Sequence, residues 1–349
     1  MAGRPAAGLG AIARGCPRMT ASLVAWIALH ALLAAGGTWL ARRYALSRRL
    51  VDQPGERRSH ASATPRGGGI AIVAALLVAL CTLAWRLPMA VPQLAAFALG
   101  LLLVAGVGWI DDHRPLSPWL RLAVHAIAAA LLALACVVAG TSLATALLGA
   151  ALALVLVNVW NFMDGIDGIA TSQALLVSAA IAAATGGTAV SWLALALAAA
   201  CAGFLPFNFP RARIFMGDVG SGALGYALAG LVAMAGPASP AAWAWLALPL
   251  SAFAIDATLT LATRIVRGER WWTPHVGHLY QRLARAWGGH RGVTAVYAAW
   301  TLGALLLMWI VRTQHAPGIM AAFTAWYLAG TVAWCVSMRY LGNGSGAST

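Results

Sequence analysis

The stretch that decides the fold is residues 142–168, SLATALLGAALALVLVNVWNFMDGIDG. From 142 to 160 it carries no charge, and its length matches the roughly 20 apolar residues a helix needs to cross a bilayer. It closes on Asn158, Asn161, Asp164 and Asp167 at three-residue spacing, with Gly165 and Gly168 after the two acids. Asn158, Asn161 and Asp164 fall close to one helical face. The glycines break the helix and let backbone approach a ligand. The stretch therefore reads as a transmembrane helix with chemistry at one end, because acids at such a place are costly and as a rule functional. The plainer reading is a helix cap with turn glycines.

The rest of the chain repeats the first half of that pattern. Of 349 residues, 61% are hydrophobic and 9% charged, against about 25% charged in a soluble domain. That excludes a soluble globular domain, a disordered chain and a fibrous repeat. Eleven apolar runs have spanning length: 21–41, 67–86, 91–110, 119–139, 142–160, 169–186, 188–206, 219–236, 241–266, 293–312 and 318–338. The expected fold is all-α: a polytopic membrane protein of about 11 transmembrane helices. One transmembrane domain covers 21–340, between an N-terminal tail (1–20) and a flexible C-terminal tail (341–349). The run from 21 is too long for the h-region of a signal peptide and is expected to be a retained span.

Charge orients the spans. The formal net charge is +14, and every fixed cation is arginine. Seventeen arginines lie after runs 1, 3, 5, 7 and 9, and only Arg86 and Arg312 lie after the even runs. Short arginine-rich segments between apolar runs fit a membrane surface, not nucleic acid. Positive loops stay inside, so the odd loops are expected in the cytoplasm. Arg4, Arg14 and Arg18 run against the rule, and a start at Met19 would remove them. Asp52, Glu56, Asp111, Asp112, Asp164, Asp167, Asp218 and Glu269 all lie on the odd side or at its edge. Asp256, inside the ninth run, reads either as an outer support for the site or as a partner for a neighbouring helix. The five cysteines are isolated and make no metal or disulfide pattern.

Four further segments carry chemistry. Gly217-Asp218-Val-Gly220-Ser221-Gly222 feeds a helix and offers backbone N–H groups to an anion. Asp218 would hold the cation bridging that anion. Phe207, Phe209 and Phe215 read as a stacking wall for a base or as an interfacial belt. The adjacent Asp111-Asp112 repel and need a cation or a shared proton; Arg114 is one candidate partner. Arg57, Arg58, His60 and Arg66, before Gly67-Gly68-Gly69, suit phosphate through the planar arginine fork. Arg42, Arg43, Arg48 and Arg49 read as topogenic charge alone. His275 and His278, three apart and followed by Gln281, can reach one ligand for phosphate contact or acid–base work. The carboxylates and amides together suit Mg²⁺, which takes one or two carboxylates and completes its shell from substrate phosphates and water.

In this order, over residues 50–285, these segments resemble the polyprenyl-phosphate N-acetylhexosamine-1-phosphate transferases (glycosyl transferase family 4). The resemblance implies transfer of an N-acetylamino-sugar 1-phosphate from a UDP-sugar to undecaprenyl phosphate, giving a sugar diphospholipid and UMP. It implies Mg²⁺, with Mn²⁺ a substitute, and a multi-pass protein of the bacterial inner membrane with cytoplasmic active-site loops. It implies Asp218 and Asn161 as metal ligands. Asp111, Asp112, Asp164, Asp167, His275 and His278 are implied as catalytic. Arg57, Arg58, His60, Arg66, Arg121, Asn158, Asn208, Phe215, Gly217, Ser221 and Gln281 are implied as substrate-binding. A homodimer is compatible with the pattern. Arg58 and Arg121 stand where the family commonly has lysine, which keeps charge but not shape. His-x-x-His-Leu-Tyr-Gln is nearer the branch that starts O-antigen and other surface polysaccharides than the phospho-MurNAc-pentapeptide branch.

Two rivals fit less well. A CDP-alcohol phosphotransferase needs two more spaced acids after Asp167, and none follows until Asp218. A membrane transporter places charge near the bilayer midplane within repeated halves, and here charge gathers at one face without an internal repeat.

Overall fold

The computed structural model describes residues 20–52, 63–270 and 276–344. Arg57, Arg58, His60 and His275, together with residues 1–19, lie outside the described residues.

The expected helices form in the expected order. They are α1 (Thr20–Ser47), α2 (Ile70–Arg86), α3 (Val91–His113), α4 (Pro118–Val138), α5 (Leu143–Met163), α6 (Ile169–Ala184), α7 (Ala189–Asn208) and α8 (Asp218–Met234). Then follow α9 (Pro240–Ala247), α10 (Ser251–Val266), α11 (Leu279–Ala286), α12 (Arg291–Val311) and α13 (Ala316–Gly344). Among the described residues, eight helical segments are long and apolar enough to cross a membrane, and α2, α6 and α8 are shorter apolar helices. Side-chain oxygens mark several starts: Ser117, Ser142, Thr188 and Ser239 accept N–H groups in the first turns of α4, α5, α7 and α9. Each satisfies a donor that a helix end leaves open.

α8 is the axis of the bundle. Every residue from Val219 to Met234 is buried, as expected of a helix that is apolar all round. It lies between α3 and α5 and also touches α2, α4, α6 and α7. Small residues allow the close approach, as they do between membrane helices generally. A Cβ on Gly225 would stand 2.2 Å from the Leu156 carbonyl oxygen of α5. The outer helices instead expose large apolar side chains, among them Leu32, Trp85, Leu147, Trp309 and Val336. Such a surface belongs in lipid.

The structure redraws three expectations. The run 241–266 is broken: α9 and α10 are separated by a 3₁₀ turn at Leu248–Leu250, where Pro249 supplies no N–H. Asp111 and Asp112 do not follow the third span but form its last turn. Residues 267–292, left between the ninth and tenth apolar runs, contain α11, which buries Leu279, Tyr280 and Ala284 and leaves Arg285 to the outside. Before α2, β1 (Val51–Asp52) and β2 (Thr64–Pro65) pair antiparallel, Asp52 opposite Thr64. The loop leading into α8 runs beside them: Phe215 N–H donates to the Pro65 oxygen at 2.8 Å, and Gly68 N–H to the Phe215 oxygen at 2.9 Å.

Candidate active site

Two helix ends build the centre. The first N–H groups of a helix have no partner within it. At α8 that partner comes from α3: Asp112 Oδ1 accepts Asp218 N–H and Oδ2 accepts Val219 N–H, each at 3.1 Å. Gly217 makes this possible. Its φ is +77°, and a Cβ there would stand 2.5 Å from Asp112 Oδ2. Asp112 is thus an end-stop for α8, buried and with both oxygens committed.

Arginines hold the remaining acids of this half. Arg121 Nη1 donates to Asp111 Oδ2 at 2.8 Å and to Asp218 Oδ2 at 2.9 Å. Asp111 Oδ1 accepts the Leu116 N–H at 2.6 Å. Arg66 donates through Nη2 to the Asp112 carbonyl oxygen, and its Nε lies 4.0 Å from Asp112 Oδ1. Two guanidinium groups therefore face three carboxylates, before Asp164 is counted.

Asp164 supplies the other half. It caps α5 at the Gly165 turn. Among the described residues no hydrogen bond reaches its carboxyl. Burial, then the neighbouring Asp218 and Asp112, push its pKa up to about 7. One turn back, Asn161 Nδ2 donates to Ser221 Oγ of α8 at 3.1 Å. The two halves enclose a pocket of about 190 Å³ lined by Asp52, Arg66, Asp112, Asn161, Asp164, Gly165, Ile166, Asn208, Phe215, Gly217, Asp218, Ser221 and Gln281. Segments separated by more than 200 residues thus meet at one end of the bundle.

Not every expected residue lines that pocket. Asn158 Nδ2 donates to its own helix, at the Leu154 oxygen (2.7 Å). Asp167 turns away: Oδ2 accepts Ala212 N–H at 3.1 Å, Oδ1 lies 3.2 Å from His290 Nδ1, and its carbonyl accepts Thr294 Oγ1–H at 2.8 Å. It ties the α5–α6 turn to the α7–α8 loop and to α12. His278 caps α11 with a buried ring 3.8 Å from Asp256 Oδ1. Asp111 and Arg121 stand directly behind Asp218. Asn208 reaches the lining, yet its amide is taken: Oδ1 accepts Gly168 N–H and Thr171 Oγ1–H, and Nδ2 donates to the Ile214 oxygen. Asp52 and Ile166 line the pocket although the sequence assigns them no ligand, and Gly165 lies in it as a turn glycine open to a ligand should. Strand pairing with Thr64, which its sequence neighbourhood does not announce, turns Asp52 inward.

The residues fit a magnesium ion better than a softer metal. Among the described residues no three His, Cys, Asp or Glu side chains are grouped as an all-protein metal cage. Asp164, Asp218, Asn161 and Ser221 each offer a side-chain oxygen as a ligand, and among the described residues the Asp164 carboxyl has no hydrogen-bond partner. One or two carboxylates, with room for water and phosphate oxygens, is the arrangement Mg²⁺ takes.

Residues 94–236, which hold all of the pocket lining except Asp52, Arg66 and Gln281, match the model of glycosyl transferase family 4. The chain is 32% identical over 295 residues to the decaprenyl-phosphate N-acetylglucosaminephosphotransferase of Mycobacterium tuberculosis, covering 72% of each chain. The chain belongs to glycosyl transferase family 4. It is 27% identical over 285 residues to a Bacillus subtilis protein named as a probable undecaprenyl-phosphate N-acetylglucosaminyl 1-phosphate transferase (74% of this chain, 77% of the relative). It is 30% identical over 315 residues to the phospho-N-acetylmuramoyl-pentapeptide-transferase of Heliobacterium modesticaldum (78% and 93%). Family membership makes the protein a polyprenyl-phosphate sugar-1-phosphate transferase embedded in a membrane. The transporter and CDP-alcohol readings are set aside.

Proposed function

We propose that the protein transfers an N-acetylamino-sugar 1-phosphate from a UDP-sugar to undecaprenyl phosphate at the cytoplasmic face of a bacterial inner membrane. The products are undecaprenyl-diphospho-sugar and UMP, and the reaction starts O-antigen or another cell-envelope polysaccharide. The observation that carries this reading is the convergence of Asp164, Asp218, Asn161, Ser221 and Arg66 on one pocket at the end of an apolar bundle. Phosphoryl transfer asks for little else than positioning and charge neutralisation.

The chain's own groups divide the work. Asp218 and Asp164, with Asn161, would hold Mg²⁺. When bound, that ion neutralises the donor's pyrophosphate and the charge that builds on the leaving phosphate. Arg66, and Arg57, Arg58 and His60 nearby in sequence, supply cations for phosphate oxygens. Gly217 and the start of α8 give a backbone edge along which phosphate can lie, and Phe215 offers a face for the uracil. Gly165, Ile166 and Asn208 shape the nucleotide end, Gln281 closes the wall, and His275 belongs with the pyrophosphate.

The acceptor needs no strong base, because a phosphate monoester with a second pKa near about 6 is largely dianionic at pH 7. Its oxygen attacks the sugar-side phosphorus in line. The bond from that phosphorus to the bridging oxygen breaks, and UMP leaves with the electron pair. Both oxygens of Asp111 are already engaged, by Arg121 and by Leu116 N–H, which supports direct attack over a covalent aspartyl-phosphate route. Asp111 then acts by holding Arg121 against Asp218.

The relatives' names favour an N-acetylglucosamine donor. The Heliobacterium relative keeps a second reading in play, transfer of phospho-MurNAc-pentapeptide. Purified protein with undecaprenyl phosphate, Mg²⁺ and a panel of UDP-sugars separates them. We expect UMP and a diphospholipid from UDP-N-acetylamino hexoses and none from UDP-MurNAc-pentapeptide; the reverse pattern would assign the protein to peptidoglycan synthesis.

A further inference from the structure

Asp256 lies deep in the bundle on α10, far along the chain from the acids of the pocket. It is 2% exposed. An intramembrane carboxylate without a task would be expensive, so its partners are informative. Oδ1 accepts Leu279 N–H (2.9 Å), Trp334 Nε1–H (3.1 Å) and Thr260 Oγ1–H (3.1 Å). Oδ2 accepts Tyr297 Oη–H (2.7 Å) and Tyr280 N–H (3.1 Å). Donors from α10, α11, α12 and α13 thus meet on one side chain. Two of them are the opening N–H groups of α11, which the helix itself cannot satisfy.

The first turn of α11 is also a wall of the pocket. Gln281 lines it, its Oε1 accepting His278 N–H at 3.3 Å. Tyr280 is fully buried, and its Oη donates to the Phe162 carbonyl oxygen at 3.0 Å, one residue before α5 ends. It leaves no room on Gly165: a Cβ there would stand 2.1 Å from Tyr280 Oη. Gly165 follows Asp164 directly. An unbroken path of contacts therefore runs from Asp256, through Leu279 and Tyr280 N–H, to the turn that presents Asp164 and to Gln281.

We infer that Asp256 is a positioning residue for the transferase reaction: from inside the bundle it anchors the start of α11, and through Tyr280 and Gln281 it sets the wall of the pocket opposite α8. It touches no reactant. This rests on the proposed function, because the pocket it shapes is the proposed donor site. The carboxylate suits the task because all five of its hydrogen-bonding partners donate, and the buried His278 ring lies 3.8 Å from Oδ1. Asparagine keeps the shape but turns an N–H₂ toward some of those donors. Tyr297 or Thr260 can reverse its hydroxyl in response, whereas the amides of Leu279 and Tyr280 cannot.

The test compares full-length wild type, Asp256→Asn, Tyr280→Phe, the double variant and Trp334→Phe, all in detergent. Two readouts are taken: hydrogen exchange of the peptide covering 276–290, and steady-state UMP release as the UDP-sugar is varied. We expect Asp256→Asn to speed exchange in that peptide. We expect kcat/KM for the UDP-sugar to fall by about tenfold to a hundredfold, the range for a displaced positioning group. We expect the loss in the double variant to be less than the product of the two single losses, since both act along one path. Trp334→Phe removes a donor that is not on α11, and its kcat/KM should stay within about threefold of wild type. The inference is overturned if Asp256→Asn leaves both exchange at 276–290 and kcat/KM at wild-type values, or if its losses multiply with those of Tyr280→Phe. If wild type releases no UMP from any UDP-sugar, the proposed function fails, while the exchange experiment still decides whether Asp256 anchors α11.

Discussion

Chemically identical side chains do different work here because their partners differ. Asp112, Asp164 and Asp218 meet within one pocket, yet Asp112 is spent on the N–H groups of α8, while the Asp164 carboxyl has no hydrogen-bonding partner among the described residues. Replacing Asp112 by Asn would set an N–H₂ against one of those amides and leave it unpaired. That should cost about 1–3 kcal/mol of stability, read as a lower Tm in detergent. Equal Tm values would mean that α8 needs no such stop. Asp164 predicts a pH dependence. Burial and the neighbouring Asp218 and Asp112 raise its pKa from the ordinary carboxylate value to about 7. A raised carboxylate pKa means that the fold tolerates the protonated form, so its contribution to stability is whole below about pH 4 and is lost as pH rises through about 7. A bound cation reverses that preference. The rise in Tm produced by Mg²⁺ should therefore be larger at about pH 8 than at about pH 6, and Asp164→Asn should shrink the difference to the share of Asp218, whose carboxyl burial also pushes upward. An equal rise at both values in wild type would detach Asp164 from the ion. In the sequence, the acids announced a site because they crowded one side of the spans. Which of them face a ligand was not legible: Asp164 and Asp167 are three residues apart with glycine after each, and only the contacts with Ala212 and His290 turn Asp167 away.

Helices carried most of what the sequence disclosed. An apolar run of spanning length has one stable solution in lipid, where every backbone group must be bonded within the segment. Hence all eleven runs became helices. The errors fall where local chemistry outweighs hydropathy. Pro249 breaks the ninth run, and α11 hides in a polar segment because a helix of eight residues buries only three side chains. Its anchor, Asp256, was visible as an acid inside a span, but its five donors come from four helices and no local pattern reports them. The packing of α5 on α8 yields a prediction at this scale. A Cβ on Gly225 would stand 2.2 Å from the Leu156 oxygen, so Gly225→Ala must push the helices apart. Overpacking of this kind costs about 1–3 kcal/mol. It should also displace Asn161 from Ser221, lowering UMP release more than the loss of folded protein accounts for. An activity loss that merely tracks the folded fraction would confine Gly225 to packing.

At the scale of the whole molecule, the bundle brings residues from Asp52 to Gln281 to one end and surrounds them with apolar surface. Seventeen arginines follow the odd spans and two follow the even ones, so the pocket end should face the cytoplasm. Single cysteines placed at Arg114 and at Leu143, which is 65% exposed at the opposite end of the bundle, in a chain whose native cysteines are replaced, would report this. An impermeant maleimide should label Leu143→Cys in intact cells, and Arg114→Cys only after the membrane is opened. Labelling of Arg114→Cys in intact cells would invert the molecule and take the pocket away from a cytoplasmic nucleotide sugar.

The central proposal is a divalent ion held between Asp164 and Asp218 that joins two phosphorylated reactants in this pocket. The direct measurement is UMP release by purified protein from UDP-N-acetylglucosamine and undecaprenyl phosphate, with Mg²⁺, with the ion chelated, and with Asp218→Asn. Release by wild type with Mg²⁺, its loss on chelation, and a fall of about a hundredfold or more in the folded variant are the predicted results. Full activity of Asp218→Asn, or undiminished release after chelation, would contradict it.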